Sequence, residues 1–148
     1  MVKGRNTMLG TANVHPTLPA VDMDRARKFY QEVLGLKLAG GDPTGGVMFQ
    51  AGQTYIYLYP RGATKADHTV AEFDVDDVEA EVKELRARGV TFQDLDMPDM
   101  GIKTVNGVAT MSMPEGKLKV AWFTDTEGNI LAIQSVPKAL REKYMSGA

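Results

Sequence analysis

One order of signals occurs twice along this chain, and it constrains the fold more than any other feature. A strand-like stretch leads to an aspartate, then an amphipathic helical run, a glycine stop and further short strands. An offset of about 55 residues pairs His15 with Val70, Leu18 with Phe73 and Asp22 with Asp77. A period this long, used only twice, indicates a duplicated module rather than a solenoid. Neither half can bury both its helix and its sheet alone, so the two should share one core. The length of 148 residues suits one such domain.

Local patterning fills in the elements. Residues 1 to about 10 are a polar, glycine-containing lead-in. From Asn13 to Val21 the chain reads as a strand, with Val14, Leu18 and Ala20 on one side and His15, Thr17 and Pro19 on the other. Asp22 caps a helix that runs to Leu34 on a stripe of Met23, Ala26, Tyr30, Val33 and Leu34, and Gly35 ends it. Strands are predicted at Leu36 to Ala39, Val47 to Ala51 and Thr54 to Tyr59, separated by glycine-rich turns. In the second half Thr69 to Val75 alternates as a strand. Asp76 and Glu79 have capping-box spacing before a helix on Val78, Val82 and Leu85, which Gly89 ends. Strands are expected near Val90 to Leu95, at Leu118 to Thr124 and at Ile130 to Ser135. Between them Met97 to Lys117, rich in Gly, Pro and Met, reads as a flexible cover, its Met97, Met100, Met111 and Met113 suiting either a lid or gap-filling between strands. The boundaries are thus about 11–60 for module one and about 68–136 for module two, with a closing helix at about 137–145.

Composition excludes several function classes. With no cysteine, the chain has no disulfide, thiolate metal site or thiol nucleophile. The net charge of −2 is scattered in both signs, so no nucleic-acid partner is expected. No apolar run approaches the roughly 20 residues that cross a bilayer, so no membrane partner is expected. Lys3 and Arg5 are not followed by an apolar stretch, so no signal peptide is expected and the expected location is the cytoplasm.

The motifs then support a resemblance. They are His15-Pro16-Thr17-Leu18, Asp22-Met23-Asp24-Arg25-Ala26, Phe29-Tyr30 and Val33-Leu34-Gly35-Leu36 in the first half. The second half has Phe73-Asp74-Val75-Asp76-Asp77-Val78, Arg88-Gly89-Val90 and Trp122-Phe123-Thr124-Asp125-Thr126-Glu127-Gly128-Asn129. Together they resemble the vicinal oxygen chelate superfamily, which includes glyoxalase I, bleomycin-resistance proteins and extradiol dioxygenases. Thr126 stands where that family usually has Pro. The resemblance implies an α+β fold of two tandem βαβββ modules. Their curved mixed sheet would surround a concave cleft, with helices on the outer face, in a homodimer. Open sheet edges that need cover also favour a dimer.

Enzymes of the superfamily hold a divalent metal on the concave face, through the first and last strands of each module. Carried over by position, those ligand sites fall at His15, Tyr57, Val70 and Ala132. Val70 and Ala132 offer no side-chain donor, and a tyrosine phenol is mostly protonated at neutral pH. One imidazole cannot replace a full ligand shell, so no metal and no other cofactor is expected.

His15 is read as a hydrogen-bonding pocket residue, with a surviving ligand or general base as the other reading. A rebuilt site from His15, His68 and Glu72 is conceivable. However, His68 and Glu72 each lie about 6–7 Å along the strand from Val70, too far to meet at one ion. Tyr55, Tyr57 and Tyr59 alternate with Ile56 and Leu58 and should face the cleft, joined by Trp122 if Phe123 packs inward. The alternative is that these tyrosines only make cross-strand pairs on a half-exposed face. The expected ligand-binding set is His15, Thr17, Tyr55, Tyr57, Tyr59, Val70, Glu72, Trp122, Ala132 and Gln134. The expected function is binding of a small, partly aromatic molecule. The competing reading is a glyoxalase-like lyase, isomerase or dioxygenase with a rebuilt metal site or with His15 and Glu72 as acid and base. The turn Gly128-Asn129 is read as a hairpin only. The run Glu79 to Glu84 is read as a solvated helix face with Glu79 and Lys83 paired one turn apart.

Overall fold

The computed structural model describes residues 9–144. The repeat appears as two mixed sheets with helices against one side. In the first half β1 (Thr17–Ala20) leads to α1 (Met23–Lys28) and then to β2 (Lys37–Gly41), β3 (Val47–Ala51) and β4 (Thr54–Pro60). These strands lie in the order β1-β4-β3-β2, with β1 parallel to β4 and the other pairs antiparallel. The second half has β5 (Thr69–Asp74), α2 (Val78–Ala87), β6 (Asp96–Met97), β7 (Ile102–Val105), β8 (Val108–Met113), β9 (Gly116–Thr124) and β10 (Ile130–Ser135). Its order is β5-β10-β9-β8-β7-β6, again with the first and last strands parallel. The βαβββ pattern is therefore present twice, and β6 and β7 extend the second sheet. A closing helix, α3, spans Lys138–Tyr144; Met145, expected to end it, lies outside the described residues.

An aspartate caps each of the two main helices. Asp22 accepts a hydrogen bond from the Arg25 amide, 3.0 Å, and Asp77 from the Ala80 amide, 3.1 Å. The cap of α2 is thus Asp77, whereas Asp76 turns outward to Arg141, 3.0 Å away. Helix α1 widens after Lys28 into a π-helical turn, Phe29–Val33, closed by the Leu34 amide on the Phe29 carbonyl. Gly35 follows at φ 75°, where a side chain would be strained. Arg88 at the end of α2 donates to the Glu32 and Val33 carbonyls, satisfying helix-end acceptors from the other half.

One apolar cluster draws on both halves. Leu18, Tyr30, Phe49, Ile56 and Leu58 from the first join Val78, Val82, Phe123, Leu131 and Ile133 from the second. Fully burying side chains of this size contributes about 1.5–3 kcal/mol each.

Three expectations are corrected. Val14 is 87% exposed and lies before β1, because the strand pairing starts only at Thr17. Val90 to Leu95 forms no strand beyond a single bridge from Phe92 to Phe123; the second strand of that module's βαβββ pattern is β8. Met97 to Lys117, read without strands, holds the β7–β8 hairpin and the start of β9. The signal for that hairpin is Asn106-Gly107. Both residues sit at positive φ (54° and 81°), as a tight two-residue hairpin turn requires.

Candidate functional site

Alternation along β4 decides what the concave face presents. Ile56 and Leu58 are buried against the helices, which turns Tyr55, Tyr57 and Tyr59 to the opposite side, each half-buried. The parallel pairing of β1 with β4 sets Thr17 level with Tyr57, and the Tyr57 amide donates to the Pro16 carbonyl. His15 stacks on Tyr55, with ring centroids 4.1 Å apart, and Tyr57 stacks on Tyr59 at 6.0 Å. The first module thus contributes His15, Thr17 and three tyrosine rings to one face.

Tyr57 is tied down further. Its hydroxyl donates to the Asp42 carboxylate and lies 3.3 Å from the Thr44 hydroxyl, in the turn between β2 and β3. Asp42 also accepts from the Thr44 hydroxyl and from the amides of Thr44 and Gly46. Hydrogen bonds from Thr44 and Tyr57 hold Asp42 below the usual carboxylate range. The same bond from the other side raises Tyr57 above its ordinary phenol value. Gly46 permits this arrangement, since a Cβ there would overlap the Tyr57 ring.

In the second module β5, β10 and β9 align Glu72, Ala132 and Trp122 in one rung, and Asp74, Gln134 and Val120 in the next. Phe123 packs inward edge-on to Phe92, which leaves Trp122 half-buried on the face it shares with Ala132. Gln134 donates to Asp74, 2.9 Å. A register shift between Ile130 and Leu131 passes over Val70, which packs against the apolar cluster. The residue level with Ala132 is therefore Glu72. Partial burial, then the neighbouring Asp74 charge, raises the Glu72 carboxyl above its ordinary value. A cavity of about 320 Å³ lies between the two halves, lined by Pro16, Thr54 and Ile56 on one side and by Ala71, Glu72 and Asp74 on the other.

The positions that the resemblance assigns to metal ligands, His15, Tyr57, Val70 and Ala132, offer too few donors for a divalent ion. Val70 and Ala132 have no donor atom, and Tyr57 keeps its proton in the bond to Asp42. His68 is exposed beside Asp67 rather than brought to His15 and Glu72. Among the described residues no group of three or more His, Asp or Glu side chains is placed to hold a metal ion.

The turn read as a simple hairpin is a hub between the halves. Glu127 accepts from the amides of Val21 and Asp22, from Arg25 at 2.8 and 3.1 Å, and from Thr126. Thr126 thus supplies a hydroxyl that a proline would lack. Asp125 accepts from the buried Tyr30 hydroxyl, 2.7 Å, and from Asn129, whose amide also donates to the Pro19 carbonyl. Partners 95 to 110 residues apart leave no local signal in the sequence.

Among the described residues no helix is long and apolar enough to cross a membrane. The fold is shared with solved structures of low sequence identity. The genomically encoded fosfomycin resistance protein FosX from Listeria monocytogenes superposes with a TM-score of 0.63 at 14% identity, over 90% of this chain and 97% of that one. A glyoxalase/bleomycin resistance protein/dioxygenase from Alicyclobacillus acidocaldarius gives 0.62 at 16%, covering 88% and 95%. A lactoylglutathione lyase from Agrobacterium tumefaciens gives 0.60 at 20%, covering 84% and 93%. No curated protein sequence matches the chain. The family model described as "Glyoxalase/Bleomycin resistance protein/Dioxygenase superfamily" matches residues 13–133, and the chain belongs to that superfamily.

Proposed function

We propose that the protein binds a small, partly aromatic molecule on its concave face, without a metal at the inherited position. The observation that carries this reading is the chemistry of that face. Hydrocarbon stands at two of the four ligand positions that the resemblance implies, and at the third Tyr57 stacks on Tyr59 and is bonded to Asp42. Aromatic rings with a few fixed polar groups suit a planar ligand. Thr17, Trp122 and Gln134 supply further contacts, and Glu72 with Asp74 gives the second module an acidic rim. The protein acts in the cytoplasm as a homodimer in this reading. A monomer mass from light scattering would remove the dimer and leave the binding face untouched.

The test is a thermal-shift screen of small aromatic compounds, followed by calorimetry on any that stabilise the chain. A ligand at 100 times its dissociation constant stabilises by about 2.7 kcal/mol. That gain should rise with the logarithm of ligand concentration in the parent and disappear in Tyr57→Ala. Stabilisation that persists unchanged in Tyr57→Ala places the ligand elsewhere and removes this reading.

A second reading rests on Glu72. A carboxyl raised above its ordinary value by partial burial, in a cavity that Pro16 also lines, suits proton transfer. Turnover that is lost in both His15→Ala and Glu72→Gln, with the fold retained, would favour this enzyme reading.

A further inference from the structure

Glu79 and Lys83 stand one turn apart on α2, and on an isolated helix they would pair. In the folded chain Glu79 instead reaches Lys119 on β9, 2.7 Å away. Among the described residues Lys83 and Lys103 then have no carboxylate partner, and neither has Arg86. The Arg86 guanidinium lies over the Phe92 ring, 5.7 Å from its centroid, which holds it in place.

These side chains surround one cleft of about 570 Å³ on the helix side of the second sheet. Lys83 and Arg86 project from α2, Lys103 from β7 and Lys119 from β9, over an apolar floor that includes Val82 and Val108. The cleft exists because the β7–β8 hairpin carries the sheet past the helix. Four cations face one carboxylate there, in a chain whose net charge is −2, so overall charge does not account for the patch. A concave site with low-dielectric walls focuses such a field. A phosphate group carries about −1.5 to −2 charges at neutral pH, so one or two of them match three uncompensated cations. An oriented guanidinium can bind phosphate oxygens through two parallel hydrogen bonds.

We infer that this cleft binds a small phosphorylated anion, on the opposite side of the second sheet from the concave face and independent of its ligand. The probe is pyrophosphate, titrated into the isotope-labelled full chain at fixed ionic strength while amide shifts are followed by NMR. Saturating shifts should be confined to α2 and β7 to β9. The affinity should fall about tenfold or more, 1.4 kcal/mol, in Lys83→Ala/Lys103→Ala. Both lysines are exposed, so the variant's remaining spectrum should be unchanged. Citrate at matched ionic strength should bind more weakly than pyrophosphate. Any of four results overturns the inference: shifts that do not saturate, shifts spread over lysines outside the cleft, equal affinity for citrate, or undiminished binding by the double variant.

Discussion

The phenol of Tyr57 on β4 donates its hydrogen bond to Asp42 in the β2–β3 turn, a partner 15 positions away. This pairing keeps the phenol protonated and fixes its ring against Tyr59. The phenol is thereby fixed as part of an aromatic wall.

Gly46 is the residue on which that wall depends. Replacing it with alanine forces the Tyr57 ring aside and breaks the bond to Asp42. We expect Gly46→Ala to lose about 1 kcal/mol or more in urea unfolding, the usual scale for forcing atoms into a filled site. Its near-ultraviolet tyrosine signal should change as well. An unchanged signal and stability would mean that Tyr57 is not held as described.

Glu127 sets an acid limit on the link between the halves. Burial alone would raise its carboxyl. The hydrogen bonds from Arg25, the Asp22 amide and Thr126, with the Arg25 charge, outweigh burial and bring it from 4.5 to about 2. A depressed value means that the unfolded chain binds the proton more readily. The stabilisation is therefore complete above about 4.5 and is lost as pH falls towards about 2. Glu127→Gln should cost about 2 kcal/mol at neutral pH, the scale for hydrogen bonds to a charged group. The gap from the parent should close across that acid window. A gap independent of pH would contradict the assignment.

Glu72 should behave in the opposite sense. Its carboxyl is raised above 4.5 by burial and by Asp74, so the folded chain holds that proton longer than the unfolded one. Stability then falls as pH rises through the raised value. Glu72→Gln should match the parent in acid and exceed it at neutral pH, in parallel melting curves. A variant less stable than the parent at neutral pH would show that the charged form is favoured instead.

What the sequence made legible follows from the range of each interaction. Asp22 caps its helix through a contact three residues long, and Tyr55, Tyr57 and Tyr59 alternate with buried Ile56 and Leu58, so local patterning exposed both, whereas capping-box spacing pointed to Asp76, one residue before the true cap Asp77. Asn106-Gly107 was legible too, but the glycine and methionine content around it suggested a mobile cover and hid the hairpin. The roles of Glu127 and Asp42 were not legible. Glu127 serves amides and an arginine 102 to 106 residues away, and the Asp42 bond depends on how β2 and β3 bring a turn back over β4. Val70 shows the same limit. An offset of about 55 residues places it opposite His15, yet a one-residue register shift against β10 brings Glu72 level with Ala132 instead.

The most direct measurement is elemental analysis of the chain purified without chelator and dialysed against Mn, Fe, Ni and Zn in turn. Because the inherited positions offer hydrocarbon and a hydrogen-bonded phenol, we expect far less than one ion per chain in every case, and the same trace content in His15→Ala. One tightly held ion per chain that disappears in His15→Ala would contradict the account at its centre.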